Sequence, residues 1–243
     1  MIDLHCHILP GLDDGSGSFE ESLAMAAMAA GHGISKIAVT PHCTGGMVRE
    51  VLEGVELLQE LLQEERIPVR LYPGMEIFGT YDTARLLRER KLLTLGGSRY
   101  PLIEFAFDTD GEEETEILQS VIDAGYTPLI AHPERYQCVC YGPQIVNLWQ
   151  EMGCLFQVNR GSLLGRYGHS AQRMGMALVR RGFATAVATD AHSPVVRTPR
   201  ARDVYELLYQ EVSPAAAEIL MKRNPEWILC DRTLPPAEPE WFE

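Results

Sequence analysis

Two histidines near the start of the chain are the first residues whose type and spacing suggest chemistry. His5 and His7 follow the short, mostly apolar run 1–4. Side chains alternate between the two faces of a β-strand, so these imidazoles share one face while Cys6 points to the other. Two imidazoles on one face of a strand can bind a metal ion. A hydrogen-bonded polar pair explains the same spacing, so further ligands are needed to support a metal site.

The elements that must position such ligands follow from the alternation of short apolar runs with longer amphipathic segments. The predicted strands end near residues 4, 40, 72, 104, 131, 158 and 189. The predicted helices cover 19–30, 48–65, 80–90, 113–124, 142–152 and 171–181, and a late helix begins at Ser213-Pro214. Seven strand–helix units favour a parallel sheet closed into a single-domain α/β barrel. We expect this domain to cover 1–232 and the Pro/Glu-rich tail, 233–243, to be irregular.

Acidic and imidazole side chains recur at or just after the C-terminal ends of the predicted strands. They are His5, His7, His42, Glu76, Glu104, His132, Asp190 and His192. Only the sixth predicted strand, which ends near residue 158, contributes none. Enzymes with α/β barrels place their active sites at this end of the barrel.

The whole set is difficult to explain as ordinary buried polar residues. Burying so many carboxylates and imidazoles together is costly unless cations compensate their charge. The set therefore predicts a polynuclear metal site. Its ligands are nitrogen and oxygen atoms without thiolate, which suits Mn, Fe, Zn or Mg.

The composition argues against nucleic acid and membranes as partners. The chain has 243 residues, with 34 Asp and Glu against 21 Lys and Arg, and a formal net charge of −13. A nucleic-acid enzyme normally carries a basic stripe, and none is present. No apolar run approaches the roughly 18 residues of a membrane span, and no signal-peptide pattern is present. The six irregularly spaced cysteines are typical of reduced thiols, so we expect a cytoplasmic protein.

Six segments resemble the polymerase and histidinol phosphatase (PHP) superfamily. Within it they are similar to the metal-dependent protein-tyrosine phosphatases of bacterial capsule and exopolysaccharide synthesis. The segments are DLHCHILPGLDDG (3–15), TPH (40–42), PGMEI (73–77), LIEF (102–105), IAHPER (130–135) and ATDAH (188–192). They extend over nearly the whole chain, and the first and fifth segments are more specific than His-x-His alone.

The resemblance implies a distorted (β/α)₇ TIM-like barrel of the PHP type that holds three divalent ions, with Mn²⁺ the first choice. The implied ligand sets are His5, His7, Glu76 and Asp190 for the first ion, Glu76, Glu104 and His132 for the second, and Asp14, His42 and His192 for the third. Asp14 matches the ligand position of the family, and its neighbour Asp13 is left an orienting or capping role.

The resemblance also implies the reaction. Arg135 and Arg197 match phosphate-binding arginines, and a metal-activated hydroxide would hydrolyse phosphotyrosine. The implied substrate is a phosphotyrosine protein, namely the tail of a bacterial tyrosine kinase that regulates capsule or exopolysaccharide synthesis. The resemblance leaves the oligomeric state open.

Two other phosphatase hypotheses remain open. One is a small-molecule phosphomonoesterase such as a histidinol-phosphate phosphatase, because fold and metals do not fix the substrate. The other is a cysteine-dependent phosphatase, because His42-Cys43-x-x-Gly46-x-x-Arg49 lies between a predicted strand and a helix, where a thiolate could be stabilised. The two mechanisms predict opposite mutants, since Cys43→Ser should inactivate only the cysteine enzyme and Glu104→Ala only the metal enzyme. A non-catalytic, metal-bound regulatory module is disfavoured because no ligand position is missing.

Overall fold

The computed structural model describes residues 1–243 and contains nine strands, all paired in parallel, where seven were predicted. They are β1 (Ile2–Cys6), β2 (Lys36–Val39), β3 (His42–Cys43), β4 (Arg70–Pro73), β5 (Glu76–Phe78), β6 (Leu102–Glu104), β7 (Leu129–Ala131), β8 (Leu155–Asn159) and β9 (Ala184–Ala188). The second and third predicted strands are each divided in two. Pro41 has no N–H for the ladder, and at Gly74 an added Cβ would lie 3.3 Å from the carbonyl oxygen of Val39.

The strands form two sheets that join into one distorted barrel. The orders are β1-β2-β4 and β3-β5-β6-β7-β8-β9, and β3 and β5 continue the direction of β2 and β4 across the breaks. The Asp190 amide donates to the carbonyl of His5, and the His7 amide donates to the carbonyl of Ala191, both at 2.8 Å. These bonds bring β1 beside the end of β9. The predicted parallel barrel is thus confirmed, with breaks that the sequence pattern did not show.

Eleven α-helices connect and cover the strands. They are α1 (Phe19–Gly31), α2 (Val48–Glu64), α3 (Thr83–Arg88), α4 (Glu112–Asp123), α5 (Gln137–Tyr141), α6 (Gln144–Glu151), α7 (Arg160–Leu163), α8 (His169–Arg180), α9 (Arg202–Glu211), α10 (Pro214–Glu218) and α11 (Asn224–Leu229). Two predicted N-caps are confirmed, since Ser18 accepts from the Glu21 amide and Ser213 from the Ala216 amide. None of these helices is long and apolar enough to span a bilayer.

The interior of the barrel is apolar below the predicted site. Twelve buried residues form this inner core, including Leu4, Ala38, Leu129 and Ala188 from different strands. Ile228 and Leu229 of α11 belong to the same core and close its lower end. The register between β1 and β2 shifts between Asp3 and Cys6. Such an irregularity re-aims side chains, which lets Leu4 join the core while His5 faces the opening above it.

The last eleven residues, 233–243, contain no helix or strand, yet they pack against the barrel. The Phe242 ring stacks on Phe183 at a centroid distance of 5.2 Å. Its backbone exchanges two hydrogen bonds with the Asn147 side chain, at 2.8 and 3.1 Å. A cavity of about 530 Å³ lies between this tail, α8, the π-helical turn Ile219–Arg223 and the lower ends of the strands. The tail therefore covers the amino end of the barrel.

Candidate metal centre

Glu76, the first residue of β5, lies at the centre of the predicted ligands. Its Oε2 atom is 3.0 Å from His5 Nε2, 3.1 Å from His7 Nε2 and 3.0 Å from His42 Nδ1. This oxygen is buried, yet none of these contacts has hydrogen-bond geometry. The other carboxylate oxygen, Oε1, is 2.9 Å from His132 Nε2. Four imidazoles, two from the end of β1 and one each from β3 and the end of β7, thus converge on one carboxylate.

The orientation of His5 and His7 leaves two lone pairs facing each other. His5 Nδ1 donates to Gln157 Oε1 at 2.8 Å, and His7 Nδ1 is 2.6 Å from the carboxylate of Asp13. A neutral imidazole with a protonated Nδ1 carries its lone pair on Nε2. The two Nε2 atoms are only 3.1 Å apart, an arrangement that needs a cation, whether a proton or a metal ion, near them.

The structure brings all nine predicted ligands into one cluster. The groups whose ligand atoms lie within 4.8 Å of one another are His5, His7, Glu76 and Asp190; His42, Glu76 and Glu104; and His7, Asp14, His42 and His192. His132 joins through Glu76 and is 4.0 Å from Glu104 Oε2. The first and third groups contain the sets that the resemblance implied. The second differs, because His42 lies closer to Glu104, at 2.8 Å, than His132 does.

The three groups differ in depth. The side chains of His5, His7 and Glu76 have no exposed surface, and Asp190 has 1%. Asp14, in the third group, is 67% exposed. The deep group is therefore shielded from bulk solvent, whereas the third opens toward it.

The charged groups of this cluster strongly shift one another's pKa values. Burial opposes protonation of His5, but the carboxylates of Glu76 and Asp190 raise its pKa to about 10. Burial likewise opposes protonation of His42, and Glu104 and Glu76 raise its pKa to about 9. Despite burial, the neighbouring imidazoles hold the pKa of Glu76 well below its usual range. Protons thus occupy positions from which divalent ions would displace them, since metal binding to imidazole releases protons.

Asp13 orients ligands from below the third group. Its Oδ2 atom contacts His7 Nδ1 and accepts from the backbone amide of His42 at 2.9 Å, and its Oδ1 accepts from the Gly15 amide. Asp14, by contrast, places Oδ1 at 3.3 Å from His192 Nε2, a buried nitrogen without a hydrogen bond. The two neighbouring aspartates therefore have different positions. Asp13 holds an imidazole through its Nδ1 atom, whereas Asp14 faces the open side of the cluster.

Two amides of β8 contact ligand side chains. The sequence analysis missed Gln157, whereas Asn159, at the end of the sixth predicted strand, is a residue that the sequence places either at the border of the pocket or in a cap or turn. Gln157 accepts from His5 Nδ1, and Asn159 Nδ2 donates to Asp190 Oδ2. That strand ends without an acid or an imidazole, so the sequence predicts no metal ligand there. Both amides are fully buried. Their two-residue spacing in an otherwise apolar strand was the available signal.

Backbone strain also concentrates at the cluster. His132 and Asp190 adopt left-handed conformations, with φ of 34° and 51°, although neither is glycine. Residues without glycine's freedom hold such conformations at a cost of about 1–3 kcal/mol, usually at functional sites. Both residues lie just beyond a strand end, where the turn directs the side chain toward Glu76.

Both predicted arginines lie at the mouth of the cluster. Arg197 Nη2 is 2.5 Å and Arg135 Nη1 is 3.8 Å from the same oxygen of Asp190. The Arg135 guanidinium lies over the rings of Phe107 and Tyr167, 4.1 and 4.4 Å from their centroids. Two guanidinium groups that converge beside a cluster of metal ligands can bind the oxygens of a phosphoryl group.

The geometry argues against the cysteine-dependent alternative. Cys43 is buried, and burial raises the pKa of its thiol, although an amide of Gly45 partly opposes this. A nucleophilic cysteine needs a lowered pKa. The side chain of Arg49 is 79% exposed and pairs with Glu53 rather than with the thiol. Cys43 therefore lacks both the activated thiolate and the arginine that this mechanism requires.

Comparison with known proteins agrees with the site. The family described as "Capsular polysaccharide synthesis, CpsB/CapC" matches residues 1–230. The chain belongs to the CpsB/CapC family. It is 33% identical over 238 residues to the tyrosine-protein phosphatase YwqE of Bacillus subtilis, covering 96% of this chain and 93% of that protein. It is 29% identical over 243 residues to the tyrosine-protein phosphatase CpsB of Streptococcus pneumoniae, covering 96% and 100%.

Solved structures support both the CpsB/CapC assignment and the barrel. The crystal structures of YwqE and CpsB, described as unique metal-dependent tyrosine phosphatases, include a chain that matches with a TM-score of 0.89, 32% identity and 99% coverage of both chains. The phosphotriesterase homology protein of Escherichia coli matches with a TM-score of 0.60 at 10% identity, covering 92% of this chain and 96% of that one, and shows the fold alone. The predicted capsular branch and the predicted barrel are thus both confirmed.

Proposed function

We propose that this chain is a metal-dependent protein-tyrosine phosphatase. The observation that carries the proposal is Glu76 Oε2, which is buried among three imidazole nitrogens without a hydrogen bond. Two arginines converge on Asp190, a member of the same group. Its CpsB/CapC relatives YwqE and CpsB are named tyrosine-protein phosphatases. Membership of that family and the donor set together favour phosphate-ester hydrolysis over any other chemistry that this fold hosts.

The donor set fits three divalent ions, for which we propose Mn²⁺. The proposed ligands are His5, His7, Glu76 and Asp190; Glu76, Glu104 and His132; and Asp14, His42 and His192. Two observations support metal binding by these residues. The lone pairs of His5 and His7 face each other, and Nε2 of His192 has no hydrogen-bond partner. Bound ions would neutralise phosphoryl oxygens and lower the pKa of water toward about 7. Mixed imidazole and carboxylate donors suit manganese, and also iron, zinc and magnesium.

The other residues of the site would then bind the substrate and orient the metal ligands. Arg135 and Arg197 bind the phosphoryl oxygens through charge-assisted hydrogen bonds. Asp13, Gln157 and Asn159 keep the ligand side chains in their orientations. The leaving group of phosphotyrosine is a phenolate with a pKa of about 10, so it departs with less protonation than an alkoxide needs.

A protein substrate and a cytoplasmic location complete the proposal. The description of the family names capsular polysaccharide synthesis, which supports a capsule-associated tyrosine kinase as the partner. All six cysteines are free, as expected in a reducing compartment. The mouth exposes Asp14 to solvent, so a tyrosine carried on a flexible protein segment can approach it.

The test is hydrolysis of a phosphotyrosine peptide by purified protein that has been stripped with a chelator and then reloaded with manganese. Activity should disappear on stripping and return on reloading. Glu104→Ala should abolish the restored activity, and Cys43→Ser should leave it intact. Full activity of rigorously metal-free protein, together with loss in Cys43→Ser, would refute the metal-dependent mechanism. Hydrolysis of small phosphate esters alone would instead favour the small-molecule alternative.

A further inference from the structure

A groove leads outward from the mouth on the side of Arg135. It has a volume of about 340 Å³ and lies between the loop after β6, helix α5 and the start of helix α8. The Arg135 guanidinium lies over the rings of both Phe107 and Tyr167, and these three residues form the inner end of the groove. Arg135 therefore belongs to both the mouth and the groove. A molecule bound by this arginine can extend directly into the groove.

Two of the aromatic side chains that line the groove are exposed, and a third packs closely against the backbone. At Gly161 an added Cβ would lie 2.5 Å from the Tyr167 ring, so the absence of a side chain there lets the ring pack closely. Phe107 is 44% exposed and Tyr141, at the end of α5, is 84% exposed. Exposed aromatic groups next to a functional site mark an interaction surface more often than isolated surface residues do.

We propose that this groove binds the peptide segment next to the phosphotyrosine and prefers a large apolar or aromatic side chain there. The inference rests on the proposed phosphatase function and names its substrate class. A phosphate held between Arg135 and Arg197 fixes the tyrosine ring in the mouth, so the peptide backbone must leave across the rim. The groove is continuous with Arg135 and offers the exposed rings of Phe107 and Tyr141 to the neighbouring side chain.

The polar residues of the groove suit a peptide rather than a lipid or a sugar phosphate. Gln137 and Ser170 are exposed beside the rings and can bond to backbone amides and carbonyls. Apart from Arg135 at its inner end, no basic side chain lines the groove, so nothing there would bind a second phosphate. The expected occupant is therefore an apolar side chain on a hydrogen-bonding backbone.

The experiment compares two tryptophan variants of neighbouring residues on α8, using manganese-loaded protein. Ser170→Trp fills the groove, whereas His169→Trp places the same ring in a different surface depression, on the far side of α8. Each protein is assayed with a small aryl phosphate and with phosphotyrosine heptapeptides. The peptides carry Leu or Phe at one flanking position at a time, in a Gly/Ser background.

Wild-type protein should hydrolyse the peptides with an apolar residue at one or two adjacent positions about five- to tenfold faster in kcat/KM than the Gly/Ser peptide. Ser170→Trp should abolish this preference, His169→Trp should keep it, and all three proteins should hydrolyse the aryl phosphate within about twofold of one another. Tyr141→Ala should reduce the preference and serves as a second test if the tryptophan variant is poorly folded.

Two results would overturn the groove proposal while leaving the phosphatase function in place. They are equal kcat/KM for all peptides, and a preference that survives in both Ser170→Trp and Tyr141→Ala. Failure of the wild-type protein to hydrolyse either kind of substrate would instead overturn the proposed function, and the groove proposal with it.

Discussion

The two ends of the barrel are built on opposite principles. At the carboxyl end, buried carboxylates and imidazoles crowd around Glu76, and several of their polar atoms have no hydrogen bond. At the amino end, Ile228 and Leu229 fill the interior, and ion pairs such as Lys36–Glu226, at 2.6 Å, lie at the surface. One end is arranged for function at the expense of its own stability, whereas the other stabilises the fold. This division is the general pattern of α/β barrels.

The strongest test of this contrast is Glu76→Gln. The substitution keeps the shape but removes the negative charge shared by the imidazoles, so activity should fall at least about 10³-fold, as several kcal/mol of lost charge stabilisation implies. The rise in melting temperature that manganese gives the wild-type protein should shrink or vanish. Thermal unfolding with and without manganese measures this. A variant that keeps the full manganese-induced shift would show that Glu76 is not the central ligand.

A smaller effect at the same end is expected for Gln157→Met, which removes the acceptor for His5 Nδ1 with little change in volume. Loss of an orienting partner usually weakens metal binding about 10- to 100-fold. Calorimetric titration of the metal-free protein with manganese measures the change. Gln59→Met is the matched control, because Gln59 bonds only to the backbone of Val69 and Leu71, away from the site. The control should lower stability and leave manganese affinity unchanged.

At the amino end, deletion of residues 240–243 should affect stability alone. The deletion removes the stacking of Phe242 on Phe183 and its hydrogen bonds to Asn147, which should lower the free energy of unfolding by about 1–3 kcal/mol. Urea unfolding measures this loss. The value of kcat for an aryl phosphate at low temperature should not change. A folded truncated protein with low kcat would contradict the separation of the two ends.

The smallest effect is expected for Cys43→Ser. Cys43 directly follows the proposed ligand His42, but its thiol forms hydrogen bonds only to the turn at Gly45 and Gly46. Activity should stay within about twofold of wild type, since the thiol forms its hydrogen bonds to this turn and not to the metal ligands. A phosphotyrosine-peptide assay of this variant against wild type is sufficient. A large loss of kcat in a fully folded protein would move Cys43 into the mechanism.

Much of this site could be predicted because its acids and imidazoles follow apolar runs that the barrel brings together. Eight of the nine ligand positions lie at or just after the predicted strand ends, which the sequence marks. Asp14 lies in the loop after β1, and only the family resemblance implied it. Which ligand lies next to which could not be predicted in the same way. Glu104 lies closer to His42 than to His132, and this depends on the break between β2 and β3. That break arises at Pro41, and its effect on direction is a property of the packed barrel rather than of the local sequence.

Other features escaped sequence reasoning for equally physical reasons. Gln157 and Asn159 have uncharged amides that resemble ordinary buried polar residues until their partners are known. The tail after residue 232 forms no helix or strand, so its sequence carries no periodic pattern. Its residue Phe242 is held instead by two specific hydrogen bonds and one stacked ring. Contacts that depend on single, distant partners leave no periodic signal in the chain.

The closure of the barrel has a consequence for how the protein is made. The amide of Thr189 bonds to the carboxylate of Asp3, a residue 186 positions earlier in the chain. At about 5–20 residues per second, roughly ten seconds or more therefore pass between the synthesis of β1 and that of β9, its second neighbouring strand. His5 and His7 emerge from the ribosome first but acquire their last partners near the end of translation. The metal centre is thus a late product of folding, and a chain released before β9 is complete would carry the histidines without the site.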